Sequence, residues 1–300
     1  MPWIPLHDGE TLHVRTIGRG KPVVLIHGFA SQSSHWLPNV LPLAHKYRFI
    51  LPDLRGFGAS NTTPITDERV FDQYARDLND VLDYFQLDST ALGGISTGAY
   101  ICLTYNQIFG FDRVSKYLNI EHSPESRVSD TWAHGLFSEK QSELFAEFEG
   151  LHALAVASGI DTPYWSLPPE VRREFVRTLT RVLSRAVNNS FLRALIRLVG
   201  ARGERVLAGT IFPVENWYAY IQVMRAFMAG NDTAPSLSTI KSPTTLMIGT
   251  ESRFFSTAGQ LEIKRHVPHA KVVTFETSGH IPMIDQPIKF QREFARFLAE

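Results

Sequence analysis

Short apolar runs alternate with amphipathic stretches along most of this chain, and that alternation constrains the fold more than any other feature. Runs typical of β-strands include "PVVLIHGF", "STALGGIS", "VSKYLNIEH" and "PTTLMIGTE". Helical patterns separate them. In residues 71–86 the apolar side chains recur on one helical face, at Phe71, Tyr74, Leu78, Leu82 and Phe85. Strand and helix in alternation predict an α/β fold with a mostly parallel sheet that helices cover on both faces.

The alternation stops between residues 123 and 236, where helical patterns dominate. An insertion of this size between two strands of one sheet is typical of a helical cap. We therefore predict a core formed by residues 1–122 and 237–300 and a cap formed by residues 123–236. Part of the cap interleaves apolar residues with many arginines, in "PPEVRREFVRTLTRVLSRAVNNS". A basic surface for lipid or a protein partner is one interpretation; we favour a cap helix with a solvated arginine face.

Charge and cysteine content argue against several classes of function. The 30 basic and 30 acidic side chains give a net charge of zero, so no overall field favours nucleic acid or an acidic membrane. Cys102 is the only cysteine, which excludes an internal disulfide. No apolar run approaches the roughly 20 residues that a membrane-spanning helix needs. We expect a cytoplasmic protein that acts on a small molecule, without nucleic acid binding or membrane insertion and with no particular oligomeric state predicted.

The stretch "GGISTGAY", residues 93–100, places Ser96 at the centre of a G-x-S-x-G pattern. A serine hydroxyl is a poor nucleophile unless a base takes its proton and hydrogen-bond donors stabilise the oxyanion that forms. A sharp turn from strand to helix exposes such a serine and directs a helix N-terminus at the developing charge. The pattern here follows a predicted strand and precedes a predicted helix. We therefore predict that Ser96 is a catalytic nucleophile.

The other groups that this chemistry needs follow the expected order along the chain. The stretch "SGHIPMIDQP" places His280 after the last predicted strand, where its imidazole can serve as the base. The stretch "IHGF" follows an apolar strand and offers the Phe29 N–H as one oxyanion donor. The N–H of Thr97, next to the serine, is the predicted second donor.

With these motifs the chain resembles the α/β-hydrolase superfamily, and the matching stretches are "HGF", "DLRGFGAS", "GISTGAY" and "SGHIPMIDQP". The resemblance covers everything except the cap. It implies an eight-stranded, mostly parallel sheet, an inserted helical cap and a pocket between the two. Because the nucleophile position holds serine and not aspartate, the resemblance disfavours the epoxide hydrolase and haloalkane dehalogenase branches. It implies an acyl-enzyme on Ser96.

The acidic member of the triad departs from the family pattern. Most members carry aspartate three residues after the glycine of "TTLMIG", but that position is Ser252 here. Two candidates remain, Glu121 at the end of "KYLNIEH" and Glu251, one residue before Ser252. Neighbouring residues at a strand end point in opposite directions, so Glu251 needs a local rearrangement and Glu121 does not. We favour Glu121, a position that resembles zearalenone-type lactone hydrolases and cofactor-free quinolone dioxygenases, and keep Glu251 in reserve.

These residues predict a serine hydrolase that cleaves an ester or lactone of a bulky, mostly apolar small molecule. Aromatic and histidine residues near both ends of the cap are candidates to line its pocket: His122, Trp132, His134, Phe137, Trp217 and Tyr218. Two alternatives stay open. One is a cofactor-independent dioxygenase of the same fold that acts on a heteroaromatic substrate, and the other is a ligand-binding homologue without catalysis.

We expect neither a metal nor an organic cofactor. The histidines include no H-E-x-x-H or comparable ligand spacing. The stretch "IGRGKP" is not followed by the helix that a phosphate-binding loop requires.

Overall fold

The computed structural model describes residues 2–202, 204–206 and 214–300. Its strands form a single eight-stranded sheet. In chain order they are β1 (Trp3–Pro5), β2 (Thr11–Gly18), β3 (Lys21–Ile26), β4 (Tyr47–Pro52), β5 (Thr90–Ile95), β6 (Val114–Ile120), β7 (Thr244–Gly249) and β8 (Lys271–Phe275). Across the sheet the order is β1-β2-β4-β3-β5-β6-β7-β8.

Pairing in this sheet is parallel except at one side. β2 runs antiparallel to both β1 and β4, and the remaining neighbours are parallel. In the central register Ile26 lies beside Gly94, Gly94 beside Asn119, and Ile120 beside Met247. The carboxyl ends of β3, β5, β6 and β7 therefore meet at one edge, where ligands of parallel sheets bind. The predicted eight-stranded, mostly parallel fold is confirmed.

Helices flank the sheet and occupy most of the chain between β6 and β7. They are α1 (Leu37–Val40), α2 (Val70–Tyr84), α3 (Thr97–Phe109), α4 (Gln141–Ser158), α5 (Pro169–Ala186), α6 (Ser190–Arg202), α7 (Glu204–Val206), α8 (Trp217–Ala229), α9 (Ala234–Leu237), α10 (Thr257–His266), α11 (Pro282–Asp285) and α12 (Pro287–Ala299).

The sheet separates two apolar clusters because successive side chains of a strand point to opposite faces. On β3, Val23 and Leu25 belong to one cluster, and Val24 and Ile26 belong to the other. β5 and β7 are buried along their whole length, as central strands between two helical layers must be. Helix α2 covers one face with the apolar stripe predicted from its sequence, and only Phe85 of that stripe is partly exposed.

The chain from 121 to 243 carries helices α4 to α9, and its described part holds no strand beyond one isolated bridge between Ser129 and Trp132. Helix α5 buries the apolar residues of its arginine-rich sequence, including Val171, Phe175 and Leu179. The boundaries of a separate cap, at 123 and 236, stay a prediction. Within the described residues, no helix combines the length and apolar character needed to cross a membrane.

Candidate active site

Ser96 occupies a tight turn between β5 and α3 and has a φ of 53°, a value that side-chain-bearing residues rarely adopt. Two glycines permit this turn. A Cβ on Gly98 would lie 2.3 Å from the carbonyl oxygen of Ile26, and one on Gly94 would lie 2.3 Å from the backbone of Gly98. Helix α3 therefore starts against the end of β3. The turn holds the Ser96 side chain at the helix N-terminus, as the sequence predicts.

A buried histidine–carboxylate pair lies at the same edge of the sheet. His280 Nδ1 is 3.1 Å from Glu121 Oε2, and the two residues are 4% and 0% exposed. The other carboxylate oxygen, Oε1, accepts hydrogen bonds from the Gly249 N–H at 2.5 Å and from Gln260 Nε2 at 3.1 Å. A buried carboxylate is costly unless donors surround it. Glu121 has donors on both oxygens.

The imidazole of His280 is fixed by its surroundings as well as by Glu121. Its ring stacks on Phe254, with centroids 4.1 Å apart and planes 7° from parallel. Its backbone N–H donates to the carbonyl of Ala186, the last residue of α5, at 3.0 Å. Since Nδ1 faces Glu121, Nε2 is the nitrogen available to a partner.

Ser96 and His280 line one cavity, but no hydrogen bond joins the Ser96 hydroxyl to the imidazole among the described contacts. Catalytic hydrogen bonds are often long before substrate binds and shorten in the substrate complex. The structure therefore places the hydroxyl and the imidazole in one site, without the direct contact that proton transfer between them requires.

The two expected oxyanion donors lie beside Ser96. A Cβ on Gly28 would lie 3.5 Å from Ser96 Cβ, so the loop that carries Phe29 passes directly against the serine. Thr97 begins α3, and the first N–H groups of a helix have no partner inside it. Within the described part of the chain, neither the Phe29 N–H nor the Thr97 N–H donates to a protein acceptor. Both groups are free to bind an anionic oxygen.

His27 holds this loop in place. Its Nδ1–H donates to the Gly28 carbonyl at 2.8 Å, and its Nε2 accepts the Leu54 N–H at 3.0 Å. Burial lowers the pKa of His27 below the ordinary value for histidine, so the ring stays neutral and keeps this tautomer. His27 thus fixes the conformation of the loop that carries Phe29.

Glu251, the acid kept in reserve, does not pair with His280. Glu251 is exposed, and its side chain pairs with the side-chain amide of Asn188. Ser252, at the position where the family resemblance implies aspartate, accepts a hydrogen bond from the Phe254 N–H at 3.4 Å. The structure brings Glu121, and not Glu251, to the far nitrogen of His280.

The cavity that contains Ser96 and His280 has a volume of about 1130 Å³ and is lined mostly by apolar side chains. Its walls come from residues 27–29, the segment 31–43, the last turn of α5, the loop residue Phe254, and helices α11 and α12. A cavity of this size exceeds the upper end of the roughly 300–1,000 Å³ range of small-molecule sites. It is large enough for a bulky apolar ligand.

None of the six residues predicted to line a substrate pocket is among the described residues that line this cavity. Two of them pack within the helical segment. The Trp217 indole N–H donates to the Thr162 carbonyl at 2.8 Å, and the Tyr218 hydroxyl is 3.2 Å from His152 Nδ1. Phe137 is fully buried against Phe254, on which the His280 imidazole also stacks. Their aromatic rings fill the interior because burial of apolar area among themselves stabilises the fold.

The other three also have partners outside the cavity. Trp132 and His134 contact each other edge to face, and His134 Nδ1 is 3.1 Å from Ser256 Oγ. His122 is fully buried and packs between the rings of Tyr100 and Phe255, with centroids 4.3 and 4.2 Å away. Burial lowers the pKa of His122 to about 3, so it is neutral at physiological pH.

Sequence reasoning missed two residues of the site, Gln260 and Phe254. Gln260 is 1% exposed on α10 and donates to Glu121. The sequence did contain a signal for Gln260: it lies three positions before the buried Ile263 and therefore shares its helical face, which indicates a buried polar side chain. Phe254 had no signal, because its position over the imidazole depends on the loop after β7.

One group of potential metal ligands, His7, Asp77 and Asp80, occurs among the described residues. Asp77 already accepts two hydrogen bonds from Arg55, at 2.7 and 2.8 Å, and His7 Nδ1 is 2.7 Å from Asp80. The three residues thus belong to an ion-pair network. That the protein needs no cofactor stays a prediction.

This sheet order, with a serine at the turn after β5, is the architecture of an α/β hydrolase. The chain belongs to the α/β hydrolase family, since a family model described as "Alpha/beta hydrolase family" matches residues 23–292. The predicted superfamily and class of enzyme are thereby confirmed.

Similarity to individual proteins extends over most of the chain. It is 30% identical to "Strigolactone esterase D14" of Arabidopsis thaliana over 77% of this chain and 89% of that protein. It is 27% identical to "Pimeloyl-[acyl-carrier protein] methyl ester esterase" of Aliivibrio salmonicida over 96% of both. The solved esterase EaEST from Exiguobacterium antarcticum superposes with a TM-score of 0.76 at 22% identity, over 99% of each chain, which shows the shared fold.

Proposed function

We propose that this protein is a serine hydrolase that cleaves an ester or lactone of a bulky, mostly apolar small molecule. The observation that carries the proposal is the buried 3.1 Å contact between His280 and Glu121 at the sheet edge where Ser96 begins α3. The names of two relatives as esterases support the choice of an ester bond.

In this mechanism His280 Nε2 takes the proton of the Ser96 hydroxyl as its oxygen attacks the carbonyl carbon. Glu121 accepts the Nδ1–H of the same ring, which fixes the tautomer and stabilises the imidazolium that forms. The Phe29 and Thr97 N–H groups donate to the oxyanion of the tetrahedral intermediate. His280 then protonates the leaving alkoxide, and an acyl-enzyme remains on Ser96.

Water completes the reaction. His280 removes a proton from a water molecule that attacks the acyl carbon, and the collapse of the second tetrahedral intermediate returns the proton to Ser96. The carboxylic acid is released. Each bond to the carbonyl carbon is thus formed and broken with the same two donors and the same base.

Hydrolysis of p-nitrophenyl butyrate tests the proposal. Ser96→Ala is expected to lower kcat at least about 10³-fold, because the oxyanion donors and binding alone leave only a residual rate. Labelling by a fluorophosphonate probe, followed by mass spectrometry of the peptide that contains residue 96, is the direct check. An unlabelled Ser96 argues for a ligand-binding protein without catalysis.

The carboxylate is tested with a matched pair of variants. Glu121→Gln is expected to lower kcat by about 10²–10⁴-fold, because the amide no longer stabilises the charged ring. Glu251→Gln, the same change on an exposed glutamate, is expected to leave kcat within about twofold of the wild type.

Oxygen consumption with a hydroxyquinolone that survives Ser96→Ala would instead identify the cofactor-free dioxygenase.

A further inference from the structure

The loop that leads into His280 lies between two parts of the chain that are distant in sequence. On one side is the end of β7, where a Cβ on Gly249 would lie 2.1 Å from the Gly279 carbonyl oxygen. On the other side is the connection between α5 and α6, residues 187–189, because a Cβ on Gly279 would lie 3.3 Å from the Asn188 nitrogen. The backbone next to His280 is therefore packed from both sides.

Several hydrogen bonds join the end of α5 and the α5–α6 connection to this loop. The His280 N–H donates to the carbonyl of the last residue of α5 at 3.0 Å. The Asn188 side-chain amide donates to the Thr277 carbonyl at 3.2 Å and also to the exposed Glu251. The Asn188 N–H donates to the Asp285 carboxylate, with its nitrogen 3.2 and 3.3 Å from the two oxygens. The helical segment is thus bonded directly to the residue that provides the imidazole.

Asp285 receives donors from both sides of this junction. Its Oδ2 accepts the Gly279 N–H at 2.8 Å and the Ser278 hydroxyl at 3.4 Å. The same carboxylate accepts the Asn188 N–H. Hydrogen bonds to a charged acceptor are stronger than those between neutral groups. One carboxylate at the end of α11 therefore ties the loop to the α5–α6 connection.

Asp285 and Asn188 lie outside the described lining of the cavity that contains Ser96, so they act on the reaction through other residues. Glu121 contacts one nitrogen of the His280 ring. The position of the ring also depends on its backbone, because the side-chain torsions start there. A displacement of this backbone therefore moves Nε2 relative to the Ser96 hydroxyl.

We propose that Asp285 and Asn188 are positioning residues, which hold the α5–α6 connection against the His280 loop so that the imidazole stays within reach of Ser96 and Glu121. The inference rests on the proposed function and extends it to the helices between β6 and β7. In this arrangement the end of α5 is a fixed anchor, and it forms part of the support of the base.

Hydrolysis of p-nitrophenyl butyrate by two alanine variants tests the inference. Asp285→Ala is expected to lower kcat about 10–100-fold, because a displacement of about 1 Å at a reacting group has an effect of this size. Asn188→Ala keeps its N–H bond to Asp285 and is expected to lower kcat about three- to tenfold. KM is expected to stay within about twofold of the wild type in both, since neither residue lines the described cavity.

A conservative variant and two matched controls separate this role from general damage. Asp285→Asn keeps one acceptor oxygen and is expected to retain kcat within about fivefold of the wild type. Asp232→Ala and Asn189→Ala each remove a side chain that accepts a backbone N–H near a helix start, from Ala234 at 2.9 Å and from Leu192 at 3.0 Å. No described contact joins either side chain to residues 277–280. Both controls are expected to keep the wild-type kcat.

The Nδ1–H of His280 provides a readout that does not depend on turnover. This proton is buried against Glu121, so it exchanges slowly with water and gives a downfield 1H NMR resonance. His280→Ala assigns the resonance by its disappearance. It is expected to shift or broaden in Asp285→Ala and Asn188→Ala and to stay in place in both controls.

A kcat within about twofold of the wild type in both Asp285→Ala and Asn188→Ala overturns the inference, and so does a resonance that moves in neither. Asn188→Ala removes no backbone hydrogen bond, so it keeps the test available if Asp285→Ala does not fold. If the wild type cleaves no ester but the resonance responds as expected, the proposed function fails and the positioning role stands. If esters are cleaved and neither variant differs from its control, the positioning role fails alone.

Discussion

At the scale of single residues, the hydrogen bonds of Glu121 explain how a carboxylate that follows β6 is held against His280. One oxygen faces the imidazole, and the other receives donors from Gly249 and Gln260. These donors come from the end of β7 and from α10, so three separate elements orient one side chain. The carboxylate is thereby fixed although position 252, after β7, holds serine.

Gln260→Leu tests this arrangement by removing the one side-chain donor to Glu121 Oε1, since the other donor is the Gly249 backbone N–H. The variant leaves the Gly249 N–H as the remaining donor to Glu121 Oε1, so the carboxylate is held less firmly against His280. We therefore expect kcat to fall about tenfold, the loss typical of a hydrogen bond to a charged group. Hydrolysis of p-nitrophenyl butyrate measures it.

Gln260→Glu is the companion variant of similar shape, and its carboxylate, which repels Glu121 and donates no hydrogen bond, is expected to lower kcat further. A kcat within about twofold of the wild type in Gln260→Leu would mean that Gln260 only supports the packing of α10.

At the scale of elements, the turn from β5 into α3 is the most demanding feature of the structure. Ser96 sits there with a positive φ, and both neighbouring glycines lie in backbone contact with other elements. A strained residue persists only where its surroundings fix it. The packing of α3 against the end of β3 provides that support.

Gly98→Ala is expected to destabilise the protein by several kcal/mol, on the order of other strained or overpacked sites, and to lower esterase activity strongly. Its Cβ would lie 2.3 Å from the Ile26 carbonyl, so α3 must move away from β3. Gly150→Ala is the control, because a Cβ at that position in α4 meets nothing within 4 Å. It is expected to stabilise the protein by about 0.5–1 kcal/mol. Urea unfolding of both variants measures the difference, and equal stability of the two would refute the steric argument.

At the scale of the whole molecule, a buried ion-pair network joins distant parts of the core. Arg55, whose side chain is fully buried, contacts Asp77 on α2 at 2.7 Å and Asp8, in the turn after β1, at 2.8 Å. The Tyr74 hydroxyl donates to the Arg55 carbonyl at 2.9 Å. The network connects the N-terminal strand, the loop after β4 and α2.

Arg55→Ala is expected to cost about 3–5 kcal/mol of unfolding free energy, because it leaves buried Asp77 without its cation. Arg69→Ala removes the exposed partner of Asp72 and is expected to change stability by less than about 1 kcal/mol. Urea titration followed by tryptophan fluorescence compares them. A loss of under 1 kcal/mol in Arg55→Ala would show that the network contributes little.

The sequence predicts the sheet and the turn at Ser96 because both depend on local patterns: buried strands, glycines at fixed spacing, and an amphipathic α2. It also favours Glu121 over Glu251, since side-chain direction at a strand end alternates. The wall of the cavity was not predictable in this way. Trp217 and Ile288 are both apolar residues on amphipathic helices, and only tertiary packing buries the first and places the second in the cavity lining.

Because the carboxylate that pairs with His280 follows β6, the loop after β7 need not carry an acidic partner for this histidine. Among the described contacts, neither Glu251 nor Ser252 hydrogen-bonds to the His280 ring, and this part of the chain supports the His280–Glu121 pair through the Gly249 N–H and the Phe254 ring. Positions 251 and 252, which lie between these two contacts, can therefore change in sequence while His280 and Glu121 keep their alignment. Under the proposed mechanism, the loop after β7 can thus diverge or be engineered without loss of the group that orients the base.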